Sequence, residues 1–246
     1  MKIIAGVCSA ETESQLLTTA GLLKIFGIDT FRAGIWKART RPNTFEGAGD
    51  IALEWLKKVK ELLSIKTMVE VATPTHVEKC LKSDVDILWV GARTTVNPFS
   101  MQELSEALRG VQKLIFVKNP ICPDVSLWAG AVERLARSVY DIKLIHRGFS
   151  VFPPTKYRNE PMWELASEMR KEFDYDMYLD PSHMAGVRSL VKTTITDGYT
   201  RGYDGLFIEA HHDPSKALCD KNQQLTPQEL FEEIEKNEKL FQKSEN

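Results

Sequence analysis

Short apolar runs alternate with helical stretches from one end of the chain to the other. The runs are Lys2–Val7, Thr30–Gly34, Thr67–Val71, Ile87–Gly91, Leu114–Val117, Lys143–His146, Met177–Leu179 and Gly205–Ile208. Each is brief, apolar and often β-branched, which suits a strand covered on both faces of a parallel sheet. Between them, apolar residues recur at three- and four-residue spacing with polar residues opposite, the pattern of an amphipathic helix. Ile51–Leu63 (IALEWLKKVKELL) shows it best, and Phe99–Leu108, Ser126–Ser138, Glu160–Phe173 and Ser189–Tyr199 read the same way. A last helix, Thr226–Phe241, opens on Thr-Pro-Gln-Glu, an N-cap followed by proline at the first helical position. Its end runs out into a polar tail from about residue 241.

Strict strand–helix alternation with eight strands predicts an α/β fold, a single (β/α)8 TIM barrel spanning 1–246 as one catalytic domain. An open doubly wound sheet would carry a glycine-rich turn after its first strand, and GVCSAET has no such pattern. Barrels of this kind build their sites from the C-terminal ends of the strands and the loops beyond. The chemically expressive residues fall there. Strand one ends at Cys8, and strand two carries Arg32 and runs into Lys37, Arg39 and Thr40. The third holds Glu70, the fourth ends at Arg93 and the fifth at Lys118. The sixth ends at Arg147, the seventh at Asp180 and His183, and the eighth at Glu209 and His211. One such group is a surface charge; one at the same end of every strand is a site.

Composition narrows the partners. A net charge of −2 and the lack of any long apolar stretch argue against nucleic acid and against a membrane. The first residues hold no signal-peptide core, and four cysteines without CxxC spacing fit a reducing cytoplasm. Cys80 and Cys122 read as small buried hydrophobes, His76 and His212 as solvent-facing. Within this slightly acidic chain, Arg32, Lys37, Arg39, Arg93, Lys118 and Arg147 form a basic cluster suited to phosphate or carboxylate oxygens. Such cations would repel one another without a multiply charged guest, and two phosphorylated substrates would fit. Cys8, His183, Glu209 and Asp220 are a mixed donor set for a divalent metal, Mn, Fe, Co or Zn. The structural alternative buries Cys8, sets His183 as a helix cap and pairs Glu209 with an arginine.

The stretches AGVCSAET, FRAGIWKARTRPNTFEG, VGARTT, LIFVKNP, IHRGF, LDPSH and GLFIEAHHDPSKALCD resemble, in order, the motifs of 3-deoxy-7-phosphoheptulonate (DAHP) synthases. The resemblance is to the short type I forms, which share a family with 3-deoxy-octulosonate 8-phosphate synthase. VKNPICPDVSLWAGAVERL is similar to the subgroup often fused to chorismate mutase. The resemblance implies condensation of phosphoenolpyruvate with erythrose 4-phosphate, the entry step to aromatic amino acids. It implies Cys8, His183, Glu209 and Asp220 as metal ligands, with His183, Lys118 and Glu70 as catalytic groups and Glu70 close to the attacking water. Arg93, Lys118 and Arg147 would hold phosphoenolpyruvate, with Arg32 and Lys37 nearby, and Arg39 and Thr40 the phosphate of erythrose 4-phosphate. A homo-oligomer is expected, and a chorismate mutase is a candidate partner.

Two positions depart from the family pattern. Val7 stands where proline usually precedes the metal-binding Cys, and Ala38 where the family has Lys-Pro-Arg-Thr. Both changes loosen backbone and remove no functional side chain. The octulosonate synthases, which use arabinose 5-phosphate, tend to carry Lys-Ala-Asn-Arg-Ser at this point, so Arg39-Thr40 favours the heptulosonate reaction. A non-catalytic barrel serving a separate mutase would be expected to lose ligands first, and all four are kept. The chain begins at its first strand and ends one helix after the eighth, which leads to the expectation that Phe and Tyr do not inhibit the isolated barrel.

Overall fold

The structure, a computed structural model, describes residues 1–37, 39 and 43–242. Eight parallel strands close into a barrel in chain order. They are β1 (Lys2–Gly6), β2 (Thr30–Ala33), β3 (Lys66–Val71), β4 (Ile87–Val90), β5 (Leu114–Lys118), β6 (Ile142–His146), β7 (Met177–Leu179) and β8 (Gly205–Glu209). β1 completes the ring against β8 over its whole length, from Lys2 opposite Gly205 to Gly6 opposite Glu209. Every expected strand is present to within one residue at each end.

The outer layer comprises α1 (Glu13–Ile25), α2 (Ile51–Leu63), α3 (Pro74–Lys82), α4 (Ala92–Thr95), α5 (Pro98–Ala107), α6 (Val125–Ala136), α7 (Trp163–Glu172), α8 (Pro181–Ala185), α9 (Arg188–Thr200) and α10 (Pro227–Gln242). Several begin with the same two-residue device, a capping side chain followed by proline. Thr73, Asn97 and Asp180 each accept a hydrogen bond from a backbone N–H in the first turn of α3, α5 and α8. At α10 the cap is reciprocal: Thr226 accepts from Glu229 N–H, and the Glu229 carboxylate accepts from Thr226 N–H.

The short helices α4 and α8 lie outside the stretches the periodicity predicts, and α1 and α7 differ from it for identifiable reasons. α1 shows no apolar stripe because Leu22 and Ile25 stay exposed while Leu16, Ala20 and Leu23 face the core. α7 starts at Trp163 rather than Glu160, since Glu160 pairs its backbone with Phe149 and the residue before Pro161 is driven out of helical geometry.

Inside the barrel a plug is formed by Ile4, Met68, Ile87, Trp89, Phe116, Ile145, Tyr178 and Phe207. Trp89 meets Phe207 edge to face at 5.2 Å, and Phe116 meets Tyr178 at 4.9 Å. Strand side chains alternate, so the next inward position lies two residues further on. That step leads from Met68 to Glu70, Phe116 to Lys118, Ile145 to Arg147, Tyr178 to Asp180 and Phe207 to Glu209. On β4 the step from Trp89 reaches Gly91, where a Cβ would collide with the Glu70 carboxylate. The plug is thus the floor on which the charged layer rests. Phe116→Ala, emptying a ring 1% exposed, is expected to lower unfolding stability by about 3–5 kcal/mol. Urea denaturation checks this; an unchanged midpoint would mean the floor collapses without cost.

Candidate active site

A cavity of about 1180 Å³ opens at the C-terminal end of the barrel. Lys37, Arg39, Glu70, Arg93, Lys118, Arg147, His183 and Asp220 all reach its wall. Cys8, Arg32 and Glu209 lie just beneath, each no more than 1% exposed. Thr40, and the Ala38 departure beside it, lie outside the described residues. A smaller cavity of about 590 Å³ at the opposite end, lined by Lys2, Thr30, Ile87 and Phe231 among others, holds none of the strand-end groups.

The donor atoms of Cys8, Glu209 and Asp220 lie within 4.8 Å of one another. Cys8 Sγ is 3.4 Å from Asp220 Oδ2, across 212 positions of sequence. His183 stands at the edge of this group, its Nε2 3.6 Å from Glu209 Oε1. Burial opposes ionisation of both carboxylates, yet neighbouring cations prevail. His183 and Arg32 hold Glu209 below its ordinary value, and His183 and Arg158 draw Asp220 down to about 2. Burial, only partly offset by Asp180, lowers His183, which favours the ring form that can offer a lone pair. The Cys8 sulfur is held as a thiol by the hydrogen bond it shares with Cys219, by burial and by the Glu209 carboxylate. One sulfur, one imidazole and two carboxylates on the inner wall of a cavity fit a borderline divalent metal.

The cations are less frustrated than the sequence implied. Lys118 Nζ donates to Asp180 Oδ2 at 2.6 Å, Arg32 reaches Glu209 at 3.4 Å, and Lys37 Nζ lies 3.3 Å from Cys8 Sγ. Arg147 is clamped on Asn159 Oδ1 at 2.7 Å, and burial lowers it to about 10, still cationic at neutral pH. Arg39 donates to the Phe45 carbonyl at 2.7 Å. The barrel therefore supplies counter-anions for Lys118 and Arg32, while Lys37, Arg39, Arg93 and Arg147 form no ion pair among the described residues. Arg93 is exposed, and its guanidinium has no hydrogen-bond partner among the described residues. Glu70 is half-buried and likewise makes no hydrogen bond there.

Arg32 sits deepest, its guanidinium 4.9 Å from the Trp89 ring and 4.7 Å from that of Phe207. It also donates to the Cys8 carbonyl at 3.3 Å, so its place is under the donor group rather than on the cavity wall. His211 is no part of the site: its Nδ1 accepts from Asp213 N–H at 2.9 Å and its ring stacks on His212. His76 is not solvent-facing; it stacks on Trp36 at 4.0 Å on the cavity rim. His212 is half-buried against Thr19. Cys80 is buried as expected, whereas Cys122 is only half-buried.

Three contributors escaped the sequence reading. Arg158, in the loop after β6, bonds Asp220 Oδ1 at 3.0 Å and Gln223 Oε1 at 2.7 Å. Gln223 passes this on, donating to Glu209 Oε2 at 2.7 Å, so the pair braces both carboxylates. Cys219 Sγ is 2.9 Å from Cys8 Sγ. Only the adjacency of Cys219 and Gln223 to Asp220 could have flagged them.

The family model for the DAHP synthetase I family matches residues 1–245. A phospho-2-dehydro-3-deoxyheptonate aldolase of Thermotoga maritima is 31% identical over 233 residues, covering 94% of this chain and 67% of that protein. A 2-dehydro-3-deoxyphosphooctonate aldolase of Trichlorobacter lovleyi is 29% identical, covering 89% and 84%. The crystal structure of a Thermotoga maritima DAHP synthase superposes with a TM-score of 0.88 at 29% identity, over 98% of this chain and 69% of that one. A truncated form of the 3-deoxy-D-arabino-heptulosonate 7-phosphate synthase from the same organism gives 0.84 at 26% identity, over 98% and 86%.

Proposed function

The chain belongs to the DAHP synthetase I family, and we propose that its upper cavity joins phosphoenolpyruvate to erythrose 4-phosphate. The products are 3-deoxy-D-arabino-heptulosonate 7-phosphate and phosphate, at the entry to aromatic biosynthesis. One observation carries the reading: a buried thiol–carboxylate donor group opens onto the same cavity as a wall of arginines and lysines.

The family is metal-dependent, and Cys8, His183, Glu209 and Asp220 are the residues that would hold the ion, of the class Mn, Fe, Co or Zn. When bound, such an ion supplies Lewis-acid polarisation of the acceptor aldehyde. The rest is done by the chain's own groups. Arg93, Lys118 and Arg147 take the phosphate and carboxylate of phosphoenolpyruvate, and the unpaired fork of Arg93 suits bidentate binding. Arg39, with Thr40, takes the phosphate of the acceptor, and Lys37, whose Nζ lies 3.3 Å from Cys8 Sγ, stands near phosphoenolpyruvate. Held this way, C3 of the enolpyruvate faces the aldehyde carbon, and the gain is proximity and orientation. As the new bond forms, C2 becomes electron-poor and adds a water. Glu70 accepts that water's proton, and Lys118 steadies the water. That proton passes on to the aldehyde oxygen, which becomes a hydroxyl, and the adduct collapses to the C2 ketone as the C2–O bond breaks and phosphate leaves with the second water proton.

The octulosonate relatives give a second acceptor to exclude, arabinose 5-phosphate. Phosphate release from phosphoenolpyruvate with each aldose and a series of divalent metals tests both. Release is expected to need metal and erythrose 4-phosphate together, with kcat/KM at least about tenfold above that for arabinose 5-phosphate, a difference of ~1.4 kcal/mol. The reverse order would assign the octulosonate reaction, and no release with either sugar would overturn the assignment.

A further inference from the structure

Asp180 follows β7 and caps α8, and it makes one fully buried carboxylate serve two groups that the reaction uses separately. Oδ1 accepts from the His183 backbone N–H at 3.0 Å. Oδ2 accepts from Lys118 Nζ at 2.6 Å and lies 2.8 Å from His183 Nδ1. The ring contact is short, though it falls outside the geometry of a well-formed hydrogen bond. The carboxylate is 0% exposed, so no bulk solvent screens it. With Nδ1 facing Asp180, Nε2 is the nitrogen turned to Glu209 and the donor group. The Lys118 ammonium, on the other side, hangs 4.7 Å over the Phe207 ring and faces the cavity.

Lys118 and His183 therefore compete for one oxygen. A cation on Nε2 withdraws electrons from the ring, which strengthens the pull of Nδ1–H on Asp180 and loosens that oxygen's hold on Lys118. The ammonium is then freer to meet an anion in the cavity. An anion at Lys118 has the mirror effect on His183. Resting on the functional reading above, we propose that Asp180 is a positioning residue through which metal binding and phosphoenolpyruvate binding strengthen each other. The coupling is reciprocal by thermodynamic necessity.

The test measures binding rather than turnover. Mn2+ affinity is read from the electron paramagnetic resonance of the free ion and phosphoenolpyruvate affinity by calorimetry, each with and without the other. In the wild type, each is expected to tighten the other at least about fivefold, the low end of common couplings. Asp180→Asn is expected to weaken Mn2+ about 10–100-fold and to reduce the coupling ratio at least about threefold. A merely structural role would shift both affinities and leave the ratio alone, so an unchanged ratio in Asp180→Asn overturns the proposal. So does a wild type that binds both with a ratio near one. A wild type that binds neither overturns the functional reading itself and this inference with it. Should Asp180→Asn fail to fold, Asp180→Glu, which keeps the charge but moves its oxygens by a methylene, must show the same loss of ratio.

Discussion

Lys118→Met is expected to lower kcat/KM about a hundred- to a thousandfold, the range seen when one preorganised donor is removed from a buried site. The side chain keeps its length and apolar contact with the Phe207 ring, while the ammonium is lost from both Asp180 and the cavity. Two effects should separate. Loss of substrate charge recognition appears as a higher KM for phosphoenolpyruvate together with a lower kcat, because the same ammonium steadies the developing adduct. Loss of the pair leaves Asp180 with His183 as its remaining side-chain partner among the described residues, and breaking a buried pair is destabilising by up to about 3–5 kcal/mol. Steady-state kinetics and a thermal melt on the same preparation read the two. Activity within about threefold of wild type would remove Lys118 from the chemistry.

Cys8→Ala is the second large effect. It takes the only sulfur from the three-residue donor group, leaving two carboxylates beside His183. Metal affinity is expected to fall at least about a hundredfold, beyond the usual loss of a residue that merely supports a ligand. Competition with a chromophoric chelator gives the constant, and the apoprotein melt shows whether folding is intact. The pH dependence should change with it. In the wild type the Cys8 proton must leave before the sulfur can bind, since its pKa is raised well above the ordinary cysteine value. Affinity therefore rises as pH rises, by up to about tenfold per unit for each proton displaced. In Cys8→Ala that slope should flatten. Equal affinity and equal slope in the two proteins would place the metal elsewhere.

Much of the barrel was legible because each strand carries its own signal. Runs such as Ile87–Gly91 are apolar on both sides and bounded by polar turns, so they can be found without knowing their neighbours. The cap-and-proline pair at Thr226 marks a helix start equally locally. α1 was missed because its outer face keeps Leu22 and Ile25, which erases the stripe. The site was legible in its membership but not in its pairings. Arg158 looked like any loop arginine, and nothing near it in sequence announces Asp220 or Gln223. His211 misled for the opposite reason: it sits at a strand end, yet its ring closes a turn.

The chain alone determined the eight-stranded barrel and the end of it that would be charged. Both follow from periodicity, a property of adjacent residues, and the period of two carries the apolar floor directly into Glu70, Lys118, Arg147, Asp180 and Glu209. Only the closed barrel decided which charge meets which. Cys8 joins Asp220 and Cys219 because β1 pairs with β8, and Lys118 meets Asp180 across 62 positions. Electrostatic energy depends on distance through space and on how much water is excluded, and neither exists for these groups until the ring has shut.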